Sequence, residues 1–362
     1  VTSDKTIEMR DGRGMREEQP AEVLDAVGTR SRRGRRILIG LLVTVLALVL
    51  AAAAAIYMLT ESLGNNVSRV PDAFAGIPAD ARPAASSGKT FLLIGTDTRS
   101  SDPTTGTDAP AGVQAGSQRS DVIMLARVAA DGSAAAVTSI SRDSWVDIPG
   151  RGTNKINAAY AFGGAPLLIQ TVESLTGVRV DHFGVIDFAG FQEMVDSVGG
   201  IDVRVAAATS NAGVDFHEGL NHLDGAQALA YVRQRYDLPG GDLDRAKRQQ
   251  NALKALLTKA GDDLSHPVGV YNLVDATSRT VSVDDTLTNG GLRDLALEMK
   301  GLRPGGVTFT SAPVAGLGRE GAQSVVYLDE QAGPRLWAAF RDGTMAQYVA
   351  AHPAEALSGA PH

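Results

Sequence analysis

Two aspartates stand beside arginines at points where apolar runs end or begin. Asp97 lies in Ile94-Gly95-Thr96-Asp97-Thr98-Arg99, just past one such run, and Asp121 follows Arg119-Ser120 at the head of another. Ligands of α/β sheets bind beyond the carboxyl ends of the strands, so both carboxylates occupy a place suited to chemistry. Arg142, in Ser139-Ile140-Ser141-Arg142-Asp143, closes a third run. Arg233 and Arg235 flank Gln234, and in an extended stretch residues i and i+2 share a face. The two guanidinium groups are therefore expected to point together. Arg245, Arg248 and Gln249 recur at i, i+3 and i+4, one face of a helix. A single arginine is ordinarily a solvated surface charge. Several at strand ends or on one face, in a chain of net charge −7, call for another explanation.

Guanidinium groups around two carboxylates fit a polyanionic ligand held together with a divalent cation. Two unit charges about 4 Å apart interact by roughly 4 kcal/mol at an effective dielectric of ~20. A pyrophosphate against bare Asp97 and Asp121 would meet several such repulsions. Mg²⁺ (or Mn²⁺) between them turns repulsion into bridging, through the oxygen ligands and water positions that such an ion keeps. The arginines then neutralise the remaining phosphate charge bidentately. The same set stabilises a phosphoryl-transfer transition state, where positioning and charge neutralisation do most of the work.

The elements that must position these residues are legible as alternating patterns. Strands are expected at 90–95, 122–128, 134–140, 183–187 and 201–205, with later ones at 307–311 and 324–328. Helices are expected at 165–176, 188–198, 224–232, 244–259, 268–280, 288–301 and 330–342. Interleaved strands and helices predict an α/β fold, a layered α-β-α domain around a central mixed sheet. Apolar strands are what a sheet covered on both faces requires. Residues 100–118, rich in Ser, Thr, Gly, Pro and Ala, read as a long loop, a kind that tends to be functional.

Composition excludes several classes. With no cysteine there is no thiol nucleophile, thiolate metal site or disulfide. The acidic balance disfavours a nucleic-acid binder, which carries a basic face. Ser87-Gly88-Lys89-Thr90 imitates the end of a phosphate-binding loop, but Pro83 replaces its first glycine and the segment precedes a strand. His217 and His222 imitate a zinc-protease pair, yet they are five apart where one helical face needs four.

Charge is unevenly distributed. Residues 1–36 carry a net +2, and Arg30, Arg32, Arg33, Arg35 and Arg36 crowd into seven positions. Residues 37–59 follow without one charged side chain. As a helix they would run about 35 Å, enough for a ~30 Å hydrocarbon core. A cleaved signal peptide has a shorter apolar region, so a retained single-pass anchor is expected in the cell membrane. Basic flanks stay in the cytoplasm, which places 1–36 inside as a disordered tail and the remainder outside. Residues 60–88 read as a stalk, 89–345 as the extracytoplasmic catalytic domain and 346–362 as a C-terminal tail.

At these residues the sequence resembles the LytR-CpsA-Psr family of cell-wall glycopolymer ligases. The matching segments are LLIGTDTRS (92–100), RSDVIMLARV (119–128), SISRDSWVDIPG (139–150), TNKINAAYAFGG (153–164), VDSVGGIDVRV (195–205), LDGAQALAYVRQRYD (223–237) and DLDRAKRQQNAL (242–253). The resemblance implies a phosphotransferase that moves a phosphoglycan from a polyprenyl-diphosphate carrier onto peptidoglycan, with Mg²⁺ and with the carrier's tail in an apolar pocket. A pyrophosphatase side activity is part of the expectation. By the resemblance, Asp97 and Asp121 are the metal-associated carboxylates. Arg119, Arg142, Arg233, Arg235 and Arg245 form the diphosphate clamp with Gln249 nearby, and Arg99, Lys155 and Asn157 fall in matching motifs. Two departures are the long 100–118 loop and Ser141, where a proline is common. Asp143, Asp242 and Asp244 remain open as the general base. Two other readings stand beside the enzyme: a membrane-anchored transcriptional regulator, which lacks a DNA-reading module in its 36-residue basic tail, and a non-catalytic polyprenyl-phosphate binding module.

Overall fold

A computed structural model describes residues 66–96, 105, 120–263 and 267–362, all within one compact unit, Leu59–His362. Asp97, Arg99, Arg119, the 37–59 segment and the 100–118 loop apart from Thr105 lie outside the described residues. Among the described residues no helix is long and apolar enough to cross a membrane.

In chain order the elements are β1 (Ser68–Val70), β2 (Lys89–Thr96), β3 (Ser120–Val128), β4 (Ala135–Ser139), β5 (Trp145–Ile148), β6 (Gly152–Lys155) and α1 (Asn157–Thr176). Then come β7 (His182–Asp187), α2 (Phe188–Ser197), β8 (Ile201–Val205), β9 (Thr209–Asn211), β10 (Val214–Phe216), β11 (Gly219–Leu223), α3 (Gly225–Arg233) and α4 (Asp242–Asp263). The chain closes with α5 (Pro267–Thr280), β12 (Val281–Asp284), α6 (Asn289–Glu298), β13 (Val307–Ser311), β14 (Val314–Glu320), β15 (Gln323–Leu328), α7 (Gly333–Asp342) and α8 (Met345–Ala351).

Seven strands form a mixed sheet in the order β1-β12-β7-β2-β3-β4-β13. Side chains alternate across a strand, and this sheet uses both faces. Leu92, Ile94, Ile123 and Leu125 pack with Leu168, Val172, Leu336 and Phe340 of α1 and α7. Leu93, Val122 and Met124 face the other way, against Leu253 and Leu257 of α4. A separate core joins α2, α3, α4 and β8 through Val195, Val203, Tyr231 and Ala252. The layered α/β expectation thus holds, with helices on both faces.

Strand direction decides where the site can be. β7 runs parallel to β2, β13 runs parallel to β4, and β3 is antiparallel to both β2 and β4. The carboxyl ends of β2, β4, β7 and β13 therefore meet the start of β3 at one edge. There the β2–β3 register shifts: Gly95 pairs with Val122 but Thr96 with Ser120, leaving Asp121 as the extra residue of a bulge. Bulges re-aim a side chain next to functional sites. Gly95 is required at this crossing, because a Cβ there would sit 2.8 Å from Val122.

Some expectations are corrected. Within the presumed stalk, β1 pairs with β12 and Ala73 is fully buried, so the folded domain begins before residue 89. A three-residue strand carries no alternation to read. The presumed C-terminal tail contains α8, and beyond it Leu357 N donates to the Phe309 carbonyl (3.0 Å) and Ala206 N to that of Pro361 (3.3 Å). The 201–205 strand is outside the main sheet, paired with β11, and 324–328 pairs with β14. Arg233 and Arg235 do not share an extended stretch: Arg233 ends α3 and Gln234 caps it.

Arg248, expected on one face with Arg245 and Gln249, points into the interior. It is fully buried and donates to Gln234 Oε1 (2.6 Å), Thr209 Oγ1 (3.0 Å) and the His362 carbonyl (2.9 Å). Its guanidinium also lies over the Tyr231 ring, 4.6 Å from the centroid. It thereby fixes Gln234, the residue between Arg233 and Arg235. Each acceptor left unsatisfied in the interior costs about 1–3 kcal/mol. Arg248→Leu is expected to lower unfolding free energy by about 3 kcal/mol or more in urea titration; a loss below about 1 kcal/mol would show that the pin lies elsewhere.

Candidate active site

The edge gathers a network of alternating charge. Arg142, just past β4, donates through Nη1 to Asp121 Oδ1, and its Nε lies 3.7 Å from Asp242 Oδ1 and 3.9 Å from Asp143 Oδ2. Lys155 Nζ is 3.0 Å from Asp143 Oδ1. Arg245 Nη2 is 2.6 Å from Asp242 Oδ1, and Arg235 Nε approaches the same oxygen at 3.8 Å. The side chains of Arg142, Asp121, Asp143 and Asp242 are all only 14–17% exposed. Burial pulls the Arg142 guanidinium down, but the fields of Asp121, Asp242 and Asp143 outweigh it and hold the pKa above its ordinary value. For Arg245 burial wins: the pKa is lowered, with Asp242 opposing and Arg142 reinforcing.

Local structure explains the positions. The β5–β6 hairpin sets Lys155 opposite Trp145, bringing its side chain back over Asp143. Asn157, the first residue of α1, donates its backbone N–H to the Arg142 carbonyl (3.2 Å), and Ile156 N donates to that of Ser144 (2.8 Å). From the other side Val326 N donates to the Asp143 carbonyl (2.9 Å). The segment carrying Arg142 is thus clamped between two elements. Asp242 opens α4 three residues before Arg245, the spacing that puts two side chains on one face. Asp244 is occupied otherwise, accepting from Gly240 N (2.6 Å) and facing Lys247 Nζ (2.9 Å).

An apolar cavity adjoins the network. Its empty volume is about 740 Å³, including the part open to solvent, and Leu93, Val122, Phe188, Val232, Leu253 and Leu256 are among its lining residues. The Arg233 guanidinium lies over the ring of Phe188, one of these lining residues, 4.9 Å from the centroid. Gln249 also lines this cavity, its Nε2 3.5 Å from the Val232 carbonyl, and so stands with the apolar wall more than with the charges. Thr105 is tied to Asp187 at the end of β7, its N–H reaching Asp187 Oδ2 (3.2 Å), and Asp187 lines the cavity too.

The structure brings together Asp121, Arg142, Arg235, Arg245 and Lys155 of the expected set. It makes Asn157 a backbone support and puts Arg233 and Gln249 at the cavity. Sequence reasoning undervalued Asp143 and Asp242, which hold the network together; the i, i+3 pairing of Asp242 with Arg245 was the available signal.

Whether a divalent cation fits can be judged from the oxygens around Asp121. Thr96 and Ser120, paired across the bulge, are fully buried, and their hydroxyl oxygens have no hydrogen-bond partner among the described residues. Hard oxygen donors beside a carboxylate suit Mg²⁺, which needs only one or two carboxylates when substrate phosphates and water complete its shell. Among the described residues no group of three or more His, Asp or Glu side chains forms a ready-made metal cage. The residues present fit an ion brought in with a phosphate ligand.

Guanidinium groups and carboxylates thus meet at the carboxyl edge of a mixed α/β domain that also holds an apolar cavity. The chain belongs to the LytR_cpsA_psr family, whose model matches residues 63–339. It is 33% identical over 283 residues to the cell wall biosynthesis protein LcpA of Corynebacterium glutamicum, covering 68% of this chain and 54% of that protein. It is 41% identical over 183 residues to the polyisoprenyl-teichoic acid–peptidoglycan teichoic acid transferase TagU of Enterococcus faecalis, covering 50% of this chain and 59% of that one. This chain's matches thus span between half and two-thirds of these relatives. The crystal structure of TagV from B. subtilis matches 72% of this chain and 99% of its own with a TM-score of 0.59; at 24% identity that likeness concerns the fold alone.

Removing Arg142 would leave three carboxylates facing one another with fewer cations. Breaking a largely buried ion pair from one side leaves uncompensated charge in the interior, so Arg142→Met is expected to be destabilised by about 3 kcal/mol at pH 7. Urea titration of both proteins checks it; an unchanged unfolding free energy would show that the three acids are not held through Arg142.

Proposed function

We propose that this protein is a phosphotransferase that moves a phosphoglycan from a polyprenyl-diphosphate carrier onto a hydroxyl of peptidoglycan. The observation that carries the reading is Arg233: two residues before Arg235 of the charged network, its guanidinium lies over Phe188, a lining residue of the apolar cavity. An amphiphile with a diphosphate head and an isoprenoid tail has this same polarity boundary. The cavity takes the tail by burial of apolar surface, worth about 25 cal/mol per Å². Arg142, Arg233, Arg235 and Arg245 neutralise the head. The TagU relative is named for this kind of transfer, which supports the substrate class.

The acceptor oxygen attacks the phosphorus that bears the glycan, forming a new P–O bond. The anhydride P–O bond breaks and its electron pair leaves with the polyprenyl monophosphate. The hydroxyl proton passes to a carboxylate of the network, Asp143 or Asp242, which lie 3.9 Å and 3.7 Å from Arg142 Nε, or to water. With water as acceptor the same step is a diphosphate hydrolysis. Asp121, with Asp97 of the matching motif and the hydroxyls of Thr96 and Ser120, would hold Mg²⁺ or Mn²⁺; such an ion supplies charge neutralisation on the phosphate oxygens. In this reading the basic tail is cytoplasmic, residues 37–59 anchor the chain in the membrane, and the domain works outside it on peptidoglycan. No nucleic acid takes part.

The test is product analysis with a synthetic diphospho-lipid glycan and the detergent-solubilised full chain. Asp121→Ala, Arg142→Ala and Arg233→Ala are each expected to lower turnover at least 100-fold while melting as folded proteins, and chelation of divalent cations to do the same. Full activity in all three would show that the site lies elsewhere, and tight lipid binding without any turnover by the unaltered protein would replace the enzyme with a carrier-binding module.

A further inference from the structure

Thr105 follows β2 in sequence and precedes β3, yet its side chain is only 2% exposed. Its N–H donates to Asp187 Oδ2 (3.2 Å), and its hydroxyl oxygen accepts from Asp187 N (3.0 Å). The same hydroxyl donates to the carbonyl of Thr280 (2.9 Å), the last residue of α5. Carbonyls in the last turn of a helix have no partner within it, so Thr105 satisfies one of them. Asp187 ends β7 opposite Thr96, the last residue of β2. The chain therefore leaves β2 beside Asp187 and is fastened back to it at Thr105.

Asp187 also starts α2. Its Oδ1 accepts from Gly190 N (2.8 Å) as the N-cap of that helix, a bond that fixes how the first turn leaves the strand. One carboxylate oxygen thus holds α2 while the other holds Thr105. The next residue, Phe188, opens α2, lines the apolar cavity and lies under the Arg233 guanidinium, 4.9 Å from ring centroid to Cζ. The start of α2 has little room to adjust, because a Cβ on Gly190 would sit 2.8 Å from Thr280 Cβ. A continuous line of contacts runs from Thr105 through Asp187 and Phe188 to Arg233.

A cation–π contact places a guanidinium only as well as its ring is placed. Without the Thr105 hydroxyl, the Asp187 N–H and the Thr280 carbonyl would each lose a partner in the interior, where polar groups are normally paired. The turn between β7 and α2 would then have to shift to find others, and Phe188 with it. We infer that Thr105 is a positioning residue for the anionic head of the ligand: it sets the first turn of α2, and through Phe188 the aim of Arg233. The inference rests on the reading of Arg233 as a ligand of an isoprenoid diphosphate. It gives the segment between β2 and β3 a definite task, the bracing of the cavity wall on which that arginine lies.

The probe is farnesyl diphosphate, titrated calorimetrically into the detergent-solubilised full chain with Mg²⁺ present. Thr105→Val, which keeps the shape and removes the hydroxyl, is expected to weaken binding about three- to tenfold, and Arg233→Ala at least tenfold. Thr105→Ser, which keeps the hydroxyl, should stay within twofold of the unaltered protein. A merely stabilising role would not give non-additivity: Thr105→Val added to Arg233→Ala should weaken binding no further. Thermal melts check folding. Should Thr105→Val fail to fold, Asp187→Asn decides, since it keeps an oxygen for Gly190 N but offers Thr105 N–H no second one; it should show the same loss and the same non-additivity. Full binding by the Thr105→Val or Asp187→Asn protein, or an equal further loss in the Arg233→Ala background, overturns the positioning role and leaves Arg233 a ligand. No binding by the unaltered protein, or no effect of Arg233→Ala, overturns both. The expected binding pattern without turnover of the diphospho-lipid keeps the positioning role and rejects the transferase.

Discussion

Three carboxylates and their cations are held where water is largely excluded, and the rest of the site depends on that balance. Asp121, Asp143 and Asp242 share Arg142, while Lys155, Arg245 and Arg235 hold the outer oxygens. A single unit-charge contact at about 4 Å is worth roughly 4 kcal/mol at an effective dielectric near 20, so no member can be lost without the others rearranging. Four cations against three anions leave the network one charge positive, and Arg233 over Phe188 adds another. The site thereby keeps the net positive charge that the proposed anionic head requires. Preorganised cations of this kind need little reorganisation when charge develops on phosphate oxygens, which is where electrostatic catalysis gains most.

The fold supplies that balance through backbone placement more than through long flexible side chains. The bulge opposite Thr96 takes Asp121 out of the ladder. Asn157 and Val326 fasten the backbone on both sides of Arg142 and Asp143. Arg248, buried one turn beyond Arg245 on α4, fixes Gln234 and with it the spacing of the two arginines on either side. Phe188, a lining residue of the apolar cavity, then gives Arg233 an aromatic face, a cation–π contact worth about 0.5–2 kcal/mol.

Much of this was legible in the residues and some of it was not. Apolar runs of β2, β3 and β4 carried the sheet, and strand-end position carried Asp121 and Arg142, because ligand sites follow from sheet topology. Short strands such as β1 and the hairpin β5–β6 have no periodicity long enough to read, so the domain's start and the route by which Lys155 reaches Asp143 stayed hidden. Arg248 shows the complementary failure. Its i, i+3 spacing from Arg245 reads as a shared ligand face, yet α4 touches other elements on several sides, and one face of it is interior. Gln249 shows the same limit: helical spacing gives the direction of a side chain but not the polarity of what lies there, which here is the apolar cavity.

Contact on several sides is what makes α4 central. Its first turn carries Asp242 and Arg245 into the charged network, one flank lines the apolar cavity and another ties the ends of β4 and β13 together through Gln250. A helix packed on the sheet through Leu253 and Leu257, and into the neighbouring core through Ala252 and Leu256, has little freedom to shift by parts. An apolar group seated against Leu256 would therefore press on one rigid body whose N-terminus carries Asp242 and Arg245. Coupling between sites needs an element that both bias, and this helix reaches the cavity and the charged network alike.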